Sequence, residues 1–446
     1  MSKHIHDVII IGAGTTGAAT GYHLSKAGVK DILCLEMGRV GQGRSEEGRV
    51  PNGIKANTGD ELAYSPQNSG SAVFAGGDKG PRTIKMIVTL PPYLSLSRFA
   101  EHHGWGGVKT YLELAAWGRD LQISLANQIL SDPGNQIKQC GSLMVGTAAD
   151  IEQLRREYQI LQKLNCPCEW WDKDRVIAMH GRAAEFIAGI WFENDARIDA
   201  PSYAEALLNK AIEMGTLCLR ENCPPVARIE TDSTQGYAEV TLADGSLILS
   251  KHVVIATGGM YINKDLAGLI TPRYSYLVAL PHGDSDCFIG MTSPDSANFF
   301  TYGFSHDWCV ADNFVRLSGE DGFSALKSPR TEERCLRLAR WAQTKYPYLE
   351  NNVDFHKKYA VYSETPDYLP IIGTTDEMSR ICYMVGCNAW GQASLSAAAS
   401  MVPALLGYRQ LDDREKSAAD FMSIRRFTGK KVADSITRAK KQSRDR

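Results

Sequence analysis

The fold is decided by the segment Val8-Ile9-Ile10-Ile11-Gly12-Ala13-Gly14-Thr15-Thr16-Gly17, close to the amino terminus. Its first four residues are aliphatic, and an unbroken aliphatic run predicts a strand buried on both faces, as in a parallel sheet. Residues 18–27 then have the pattern of a helix, and residues 32–35 form a second aliphatic run. The order of strand, glycine turn, helix and strand predicts a βαβ unit.

The glycine spacing within this turn is typical of a dinucleotide site. In the pattern Gly12-x-Gly14-x-x-Gly17 the glycines allow a tight turn, close approach of the backbone to a pyrophosphate, and close packing of the helix. The amino end of that helix attracts negative charge. Glu36 ends the next strand, where a carboxylate accepts hydrogen bonds from ribose hydroxyls and disfavours the 2′-phosphate of NADP. NAD and FAD both fit this first unit.

The order of the remaining elements favours a flavin. An NAD dehydrogenase of simple design completes its sheet with successive βα units. Here the chain leaves the sheet for long insertions, returns at a strand over 253–256, and returns again at a strand over 381–385. That last strand leads through a glycine turn into a helix at about 394–406. Further helices are predicted at 111–130, 149–164, 201–214 and 332–344, and a hairpin turn at Asp244-Gly245.

Length and composition exclude several classes of protein. The 446 residues predict two or three domains, and 49 Lys and Arg against 51 Asp and Glu argue against a nucleic-acid-binding protein. The apolar runs fall short of the ~18 residues of a membrane span, and the amino terminus lacks a secretory signal, so we expect a cytoplasmic protein. Of the eleven cysteines only Cys166-Pro-Cys168 form a close pair, and no metal site is predicted.

Motifs that match one family are spread over most of the chain. Besides the glycine turn they are Arg44-Ser45, Asn68-Ser69-Gly70, Ile198-Asp199-Ala200-Pro201, Val226, Ala256-Thr257-Gly258-Gly259, Thr365-Pro366-Asp367-Tyr368-Leu369-Pro370-Ile371-Ile372-Gly373 and Gly386-Cys387-Asn388-Ala389-Trp390-Gly391-Gln392. With them the chain resembles the D-amino-acid oxidase superfamily of FAD-dependent oxidoreductases, which includes glycine and sarcosine oxidases. The last motif is similar to the family's flavin loop, whose backbone N–H groups can stabilise negative charge on the flavin.

The resemblance implies a fold and a cofactor. The expected fold class is α/β plus β, with a discontinuous, Rossmann-like, GR2-type FAD-binding domain and a second, mixed or antiparallel sheet domain that binds the substrate. The expected FAD-binding domain comprises 1–92, 196–262 and 362–427, the substrate domain comprises 93–195 and 263–361, and 428–446 form a basic tail. The resemblance implies FAD-binding residues at Gly12, Gly14, Thr16, Gly17, Glu36, Arg44, Ser45, Val226, Thr257, Gly258, Gly373, Gly386, Asn388, Ala389, Trp390, Gly391 and Gln392.

Departures from the family pattern refine these expectations. Ala360 stands where sarcosine oxidases have the Cys that bonds covalently to flavin, which predicts non-covalent FAD. Tyr362 lies near the position where glycine oxidases have an Arg for the substrate carboxylate. Ala393 replaces a Lys that assists the reaction with oxygen, so the electron acceptor is either O2 or another carrier. Residues 46–67 look like an insertion.

Substrate residues are expected in the aromatic-rich region between 271 and 361 and just after it. The candidate catalytic residues are Arg273, Tyr302, His306 and Tyr362, with Arg316 and Arg82 as further cationic candidates. Arg273 could bind a carboxylate, and Tyr302 or His306 could orient an amine. Each also has a purely structural interpretation, as a surface arginine, a packed tyrosine or a satisfied histidine.

Together these inferences predict an FAD-dependent oxidoreductase acting on an amino acid or N-alkyl amino acid. It would oxidise the CH–NH bond by hydride transfer to flavin N5, giving an imine that water hydrolyses. The cofactor does the redox chemistry and the protein keeps the amine neutral, so no essential acid or base is expected. Two alternatives stay open: a flavin-binding scaffold or assembly protein with little amine oxidase activity, and an NAD-dependent dehydrogenase.

Overall fold

A computed structural model describes residues 4–40, 83–91, 94–180, 185–231, 236–258, 260, 263–281, 288–292, 306–322, 331–345, 355–376 and 379–427. Within these ranges, no helix combines the length and the apolar character that crossing a bilayer requires.

Nineteen strands are present in the described residues. In chain order they are β1 (Ile5–Ile11), β2 (Ile32–Leu35), β3 (Ile84–Ile87), β4 (Ile137–Gln139), β5 (Ser142–Gly146), β6 (Glu169–Asp172), β7 (Ala188–Phe192), β8 (Ala196–Asp199), β9 (Leu217–Arg220), β10 (Val226–Thr231), β11 (Ala238–Leu242), β12 (Leu247–Ile255), β13 (Thr271–Pro281), β14 (Phe288–Thr292), β15 (Asp307–Ala311), β16 (Phe314–Gly322), β17 (His356–Glu364), β18 (Ile371–Gly373) and β19 (Ile381–Val385).

Nine α-helices lie in the same ranges, with short 3-10 helices at Ala148–Asp150 and Ile424–Phe427. The α-helices are α1 (Thr15–Lys26), α2 (Leu96–Ile129), α3 (Pro133–Gln136), α4 (Ile151–Lys163), α5 (Lys173–His180), α6 (Ala200–Glu213), α7 (Thr331–Lys345), α8 (Gln392–Leu405) and α9 (Asp413–Met422).

The first sheet joins three distant parts of the chain through parallel strands. β1 lies between β2 and β12, with Ile11 opposite Leu35 on one side and Ile255 on the other. β12 also pairs in parallel with β19, where Ile255 lies opposite Tyr383. β9 extends the sheet in parallel beyond β2, whereas β10, β11 and β18 add antiparallel strands. The predicted Rossmann-like α/β architecture is confirmed.

The centre of the first sheet is buried on both faces. Ile9 and Leu33 belong to one apolar cluster, and Ile10 and Ile32 belong to a second cluster on the opposite face. Burial on both faces explains why these strands read as unbroken aliphatic runs rather than as alternating ones.

A second sheet of eight strands carries the other half of the architecture. Its order is β17-β13-β16-β15-β14-β5-β7-β6, and all pairs are antiparallel except β14 with β5. The predicted mixed sheet is therefore confirmed, while the residue bounds of the two domains stay a prediction. Helix α7 packs on β13 and β16, and a third, small sheet has the order β3-β8-β4.

Most predicted elements have the expected positions, and α2 is the main correction. The strand predicted at 381–385 is β19, and the helices predicted at 201–214 and 394–406 are α6 and α8. The helix predicted to begin at 111 instead begins at Leu96, after Ser95 accepts a hydrogen bond from the backbone N–H of Arg98. Gly104 has φ of 66° inside this helix, and that break disrupts the periodicity by which its first turns would be recognised.

Asp367, from one of the family-like motifs, anchors the carboxy-terminal part of the described chain. Arg426 donates from Nε to Asp367 Oδ2 at 2.8 Å and from Nη2 to Oδ1 at 3.0 Å. The His103 ring lies 2.8 Å from the Asp367 carbonyl oxygen. Burial raises the pKa of Asp367, but Arg426 more than offsets this, and the pKa lies below its ordinary value. Asp367 is therefore a structural ion-pair partner.

We expect Arg426→Ala to lower the free energy of unfolding by about 3 kcal/mol, because it leaves a mostly buried carboxylate without its cation. The neighbouring exposed residue gives a matched control, and Arg425→Ala should change stability by about 0.5 kcal/mol or less. Urea unfolding of both variants checks this, and equal losses would contradict it. Because the pKa of Asp367 is lowered by folding, its stabilisation is present above the pKa of the unfolded chain. The cost of Arg426→Ala should therefore shrink as the pH falls below ~4.

Candidate cofactor and substrate site

The glycine turn at 12–17 has the geometry that a dinucleotide requires. Gly12 has φ of +99°, and a Cβ on it would lie 2.6 Å from the Ala256 carbonyl oxygen. A Cβ on Gly17 would lie 1.8 Å from the Gly12 carbonyl oxygen. Gly14 differs, because a Cβ there meets no described atom within 4 Å, and Gly14 is also the N-cap residue of α1. Two glycines thus close the turn, and the third leaves space at the amino end of a helix for a phosphate group.

Glu36 is held beside this turn. Its Oε2 accepts a hydrogen bond from the Ala13 backbone N–H at 2.9 Å, and its Oε1 accepts one from the Gly38 backbone N–H at 2.9 Å. Val226 is buried in the same apolar cluster as Leu35, directly before Glu36. The carboxylate is therefore fixed at the end of β2, where a ribose acceptor is expected.

The turn after β12 completes this side of the site. Ala256 contacts the glycine turn, as its position against Gly12 shows. Thr257 has a buried Oγ1 with no hydrogen-bond partner among the described residues, and Gly258 follows with φ of +63°. An unsatisfied buried hydroxyl next to the glycine turn fits a polar ligand group at this place.

The two ends of the chain meet where α1 and α8 begin. Thr15 Oγ1 donates a hydrogen bond to Gln392 Oε1 at 3.2 Å, and these are the first residues of the two helices. The N-cap residue of α8 is Gly391, which has no side chain to satisfy the helix N–H groups, and the first turn of α8 has no acidic residue. Two helix amino ends with uncompensated partial positive charge therefore lie side by side.

The loop at 386–391, which we call the flavin loop, is braced from within. Asn388 Oδ1 accepts from the Thr365 backbone N–H at 2.8 Å, and Asn388 Nδ2 donates to the Gly386 carbonyl oxygen at 2.8 Å. Ser363 Oγ accepts from the backbone N–H groups of Gly386 and Cys387 at 2.8 and 3.2 Å. Asn388 and Ala389 have φ of 47° and 69°. The side chain of Asn388 thus holds the loop in shape.

Several predicted positions lie outside the described residues. They are Arg44, Ser45, Tyr302, Arg82, the insertion at 46–67 and the tail at 428–446. Thr16 lies in the first turn of α1, and Gly373 ends β18 with φ of 83°. The cofactor roles of Arg44, Ser45, Thr16 and Gly373 and the substrate roles of Tyr302 and Arg82 stay predictions.

Strand alternation decides which side chains of β15 face the first sheet. Trp308 packs in the apolar cluster around α7, whereas Cys309 packs in the cluster that contains Trp390. His306 lies on the α7 side, where its ring stacks on Trp341 with centroids 4.3 Å apart. Its predicted role in orienting the amine stays a prediction. Asp307, one residue later, lies on the opposite face and meets the flavin loop.

Asp307 is a buried carboxyl with an unusual pKa. It is 3% exposed, and its Oδ2 accepts a hydrogen bond from Ser318 Oγ on the neighbouring strand. Burial raises its pKa to about 7, Ser318 and the indole of Trp390 oppose that shift, and Asp321 adds to it. The carboxyl therefore changes its ionisation near neutral pH.

Arg273 and Tyr362 lie opposite each other on β13 and β17, and both have acidic partners. Arg273 Nη2 lies 2.5 Å from Glu364 Oε1. Desolvation lowers the pKa of Arg273, but Glu364 raises it more, so the guanidinium stays charged. Tyr362 donates its hydroxyl to Asp321 Oδ2 at 2.8 Å. The two predicted residues are thus brought together on one face, and the Arg273 charge is largely compensated by Glu364.

Arg316 has a structural place. It donates from Nη1 to the Ala311 carbonyl oxygen at 2.5 Å and lies 3.5 Å from Asp312 Oδ2, at the turn between β15 and β16. These contacts stabilise the hairpin.

The sequence did not single out two lysines, of which Lys85 lies near the flavin loop and Lys358 lies near β3. Lys85 on β3 is exposed; desolvation by the surrounding protein atoms lowers its pKa, and Cys387 opposes that shift. Lys358 is buried and donates from Nζ to Thr83 Oγ1 at 3.2 Å, close to Lys85 in the chain.

Asp307 and the lysines were missed for different reasons. Asp307 opens the run Asp307-Trp308-Cys309-Val310-Ala311, and period-2 alternation within it could have shown that Asp307 and His306 point to opposite faces. Lys85 follows a long irregular segment, so its approach to Cys387 depends on how distant elements pack.

Comparisons with known proteins agree with this geometry. Residues 7–405 match the family model described as FAD dependent oxidoreductase (DAO). Glycine oxidase of Geobacillus kaustophilus (strain HTA426) is 26% identical over 260 residues, which cover 57% of this chain and 55% of that protein. The chain thus aligns with about half the length of this curated relative.

Solved structures show the same fold. The crystal structure of glycine oxidase from Geobacillus kaustophilus superimposes with a TM-score of 0.66 at 19% identity, over 92% of this chain and 96% of the other. Dithionite-reduced L-α-glycerophosphate oxidase from Mycoplasma pneumoniae, with FAD bound, gives a TM-score of 0.65 at 14% identity, over 91% and 96% of the two chains.

Gly14 and Gly17 differ in whether an added methyl group would meet protein atoms, and this difference provides a test of the cofactor site. Gly17→Ala should destabilise the fold, because its Cβ would overlap a backbone oxygen. Gly14→Ala should fold with a loss of only a few tenths of a kcal/mol at the N-cap, yet bind cofactor at least about tenfold more weakly, since the methyl group enters the phosphate space. Thermal unfolding of the apoprotein and fluorescence titration with FAD check both. Equal FAD affinity in Gly14→Ala and wild type would contradict the assignment.

Proposed function

Because the chain belongs to the FAD dependent oxidoreductase (DAO) family and uses FAD, we propose that it oxidises the CH–NH bond of an amino acid or N-alkyl amino acid. The observation that carries this proposal is that the flavin loop contacts groups of both charge signs. Cys387 lies beside Lys85, and Trp390, three positions later, lies beside Asp307. A loop with a cationic group near one residue and a carboxyl near another fits a zwitterion. Since the family is FAD dependent, the NAD alternative is set aside.

The residues that would hold FAD fit its chemistry. The turn at 12–17 and the amino end of α1 suit the diphosphate, and Glu36 suits a ribose. The amino end of α8 and the flavin loop suit the electron-rich edge of the ring, which gains negative charge on reduction. When bound, FAD supplies the hydride acceptor.

The chain's own groups would position the substrate. Among the described residues, Lys85 and Lys358 are candidates to attract a carboxylate, because the charge of Arg273 is already compensated by Glu364. Tyr362 and Asp321 form a hydrogen-bonded pair, and Tyr362 lies on the same face of the second sheet as Arg273. Fixing the substrate at both ends would hold its Cα–H bond in one orientation, which is the protein's main contribution to a hydride transfer.

The packing around Ala393 supports a proposal about the electron acceptor. A Cβ on Gly118 of α2 would lie 1.9 Å from the Ala393 carbonyl oxygen, so α8 packs tightly against α2 at this position. Ala393 itself is buried, and its side chain offers no amine to assist a reaction with oxygen. We therefore propose that oxygen is a slow acceptor and that another carrier takes the electrons.

The purified holoenzyme should be yellow and should release its flavin into the supernatant after acid precipitation, because Ala360 offers no thiol for covalent attachment. Anaerobic mixing with glycine, sarcosine, L-proline and D-alanine should bleach the flavin with at least one of them. Acetate and propionate, which carry the carboxylate without the amine, are the matched controls and should not bleach it.

Each half of this experiment has its own contradicting result. Flavin retained in the pellet would contradict non-covalent binding. A flavin that none of the four amines reduces would contradict the proposed amine oxidation and favour a scaffold.

After reduction, admission of air should reoxidise the flavin more slowly than an added quinone or dye does, and faster reoxidation by air would contradict the proposed acceptor.

A further inference from the structure

One buried oxygen atom at the junction of the second sheet and the flavin loop has no donor. Asp307 Oδ2 accepts a hydrogen bond from Ser318. The Trp390 indole comes close enough to lower the pKa of the carboxyl, but no hydrogen bond of normal geometry forms at Oδ1 with any described residue. A buried carboxyl oxygen without a donor costs free energy, and such an atom calls for an explanation, among them a bound ligand, a catalytic role or an ordered water. Strand alternation turns Asp307 toward the same apolar cluster as Trp390, which places it beside the flavin loop.

None of the described residues that shift the pKa of Asp307 is a cation. From β16 it meets Ser318 and Asp321, from β14 its cross-strand neighbour is Met291, and from the flavin loop it meets the Trp390 indole. Asp321 in turn accepts from Tyr362 on β17. Arg273 lies two strands away on β13 and is paired with Glu364. The local charge is therefore negative, which favours a cationic ligand over a second anion.

We propose that Asp307 binds the ammonium group of the substrate and takes a proton from it, so that the amine is neutral when the Cα–H bond is broken. This inference rests on the function proposed above. In the step, one N–H bond breaks, an O–H bond forms at Asp307 Oδ1, and nitrogen keeps the electron pair. When bound, FAD would supply the acceptor for the Cα hydride, and the electron pair left on nitrogen would then form the C=N bond. Water converts the iminium product to a carbonyl compound and an ammonium ion, and the proton on Asp307 returns to solvent.

The ionisation of Asp307 suits this role. Burial and Asp321 raise its pKa to about 7, against the opposing effects of Ser318 and Trp390. A carboxylate with that pKa is a far better proton acceptor than an exposed one, and it is partly ionised at neutral pH and mostly ionised above it. The proposal also differs from the sequence-based expectation that no essential base is present.

The first test needs no turnover. In the wild-type holoenzyme the visible flavin spectrum should change between pH 5 and 9 with an apparent pKa within about one unit of 7, because a charge appears beside the ring. Asp307→Asn, which keeps the side-chain shape, should abolish this change. Asp312→Asn is the matched control, since Asp312 lies just beyond the other end of the same strand, and it should titrate like the wild type.

The second test uses the anaerobic rate of flavin reduction by glycine, sarcosine and L-proline, each measured from pH 6 to 10. In wild type the rate should rise with pH through the ionisation of Asp307. In Asp307→Asn the rate at pH 7 should fall about 100-fold or more, and its rise should shift toward the pKa of the free amine, because only amine already neutral in solution can react. Asp312→Asn should keep the wild-type profile.

The outcomes separate the two proposals. If no amine reduces the wild-type flavin, the proposed function fails and the proton-acceptor role fails with it. If the wild type is reduced and Asp307→Asn keeps its rate and pH profile, the inference about Asp307 alone is overturned. Should Asp307→Asn fail to retain flavin, Ser318→Ala replaces it: loss of this hydrogen bond should shift the spectral and kinetic pKa upward together. An unshifted pKa in that variant would overturn the inference.

Discussion

The structure depends on the position of β12, which is paired in parallel with β1 and with β19. These three strands come from the beginning, the middle and the end of the described chain. Their registers bring the turn at 12–17 and the flavin loop to the carboxyl edge of one sheet, where the hydrogen bond from Thr15 to Gln392 joins α1 and α8. Loss of this pairing would separate the two helix amino ends on which the cofactor site is built.

Motif residues fall into two physical groups once their contacts are known. Gly14 and the Thr257 hydroxyl face space where a ligand can lie, since no described atom satisfies or fills it. Asp367 and Asn388 belong to equally recognisable motifs, yet their polar atoms are used inside the protein, on Arg426 and on Thr365. Both groups are necessary to the site, because a loop with positive φ at two non-glycine residues persists only when its surroundings hold it.

Strand alternation decides which side chains of the second sheet face the first sheet. In β15 the His306 ring stacks on α7, while Asp307 turns toward the first sheet. In β16 the backbone at Glu320 has φ of 55°, and this irregularity turns Glu320 toward Arg337 and leaves Asp321 beside Tyr362 and Asp307. A shift of one residue in β15 would replace the Asp307 carboxyl at this position with an aromatic side chain, either His306 or Trp308.

The sequence by itself determined the first βαβ unit, the strand and helix around the flavin loop, and the use of FAD. Local features encode the βαβ unit, namely an aliphatic run, glycines at fixed spacing and an acid at the next strand end, and FAD rather than NAD follows from the order of the later elements and from family motifs spread along the chain. The tertiary structure alone decided which charged groups lie near the flavin loop. Lys85 approaches Cys387 across about 300 positions of the chain, and Asp307 meets Trp390 across 83. No local pattern specifies such contacts, because burial and pKa depend on atoms that only the packed sheets bring together.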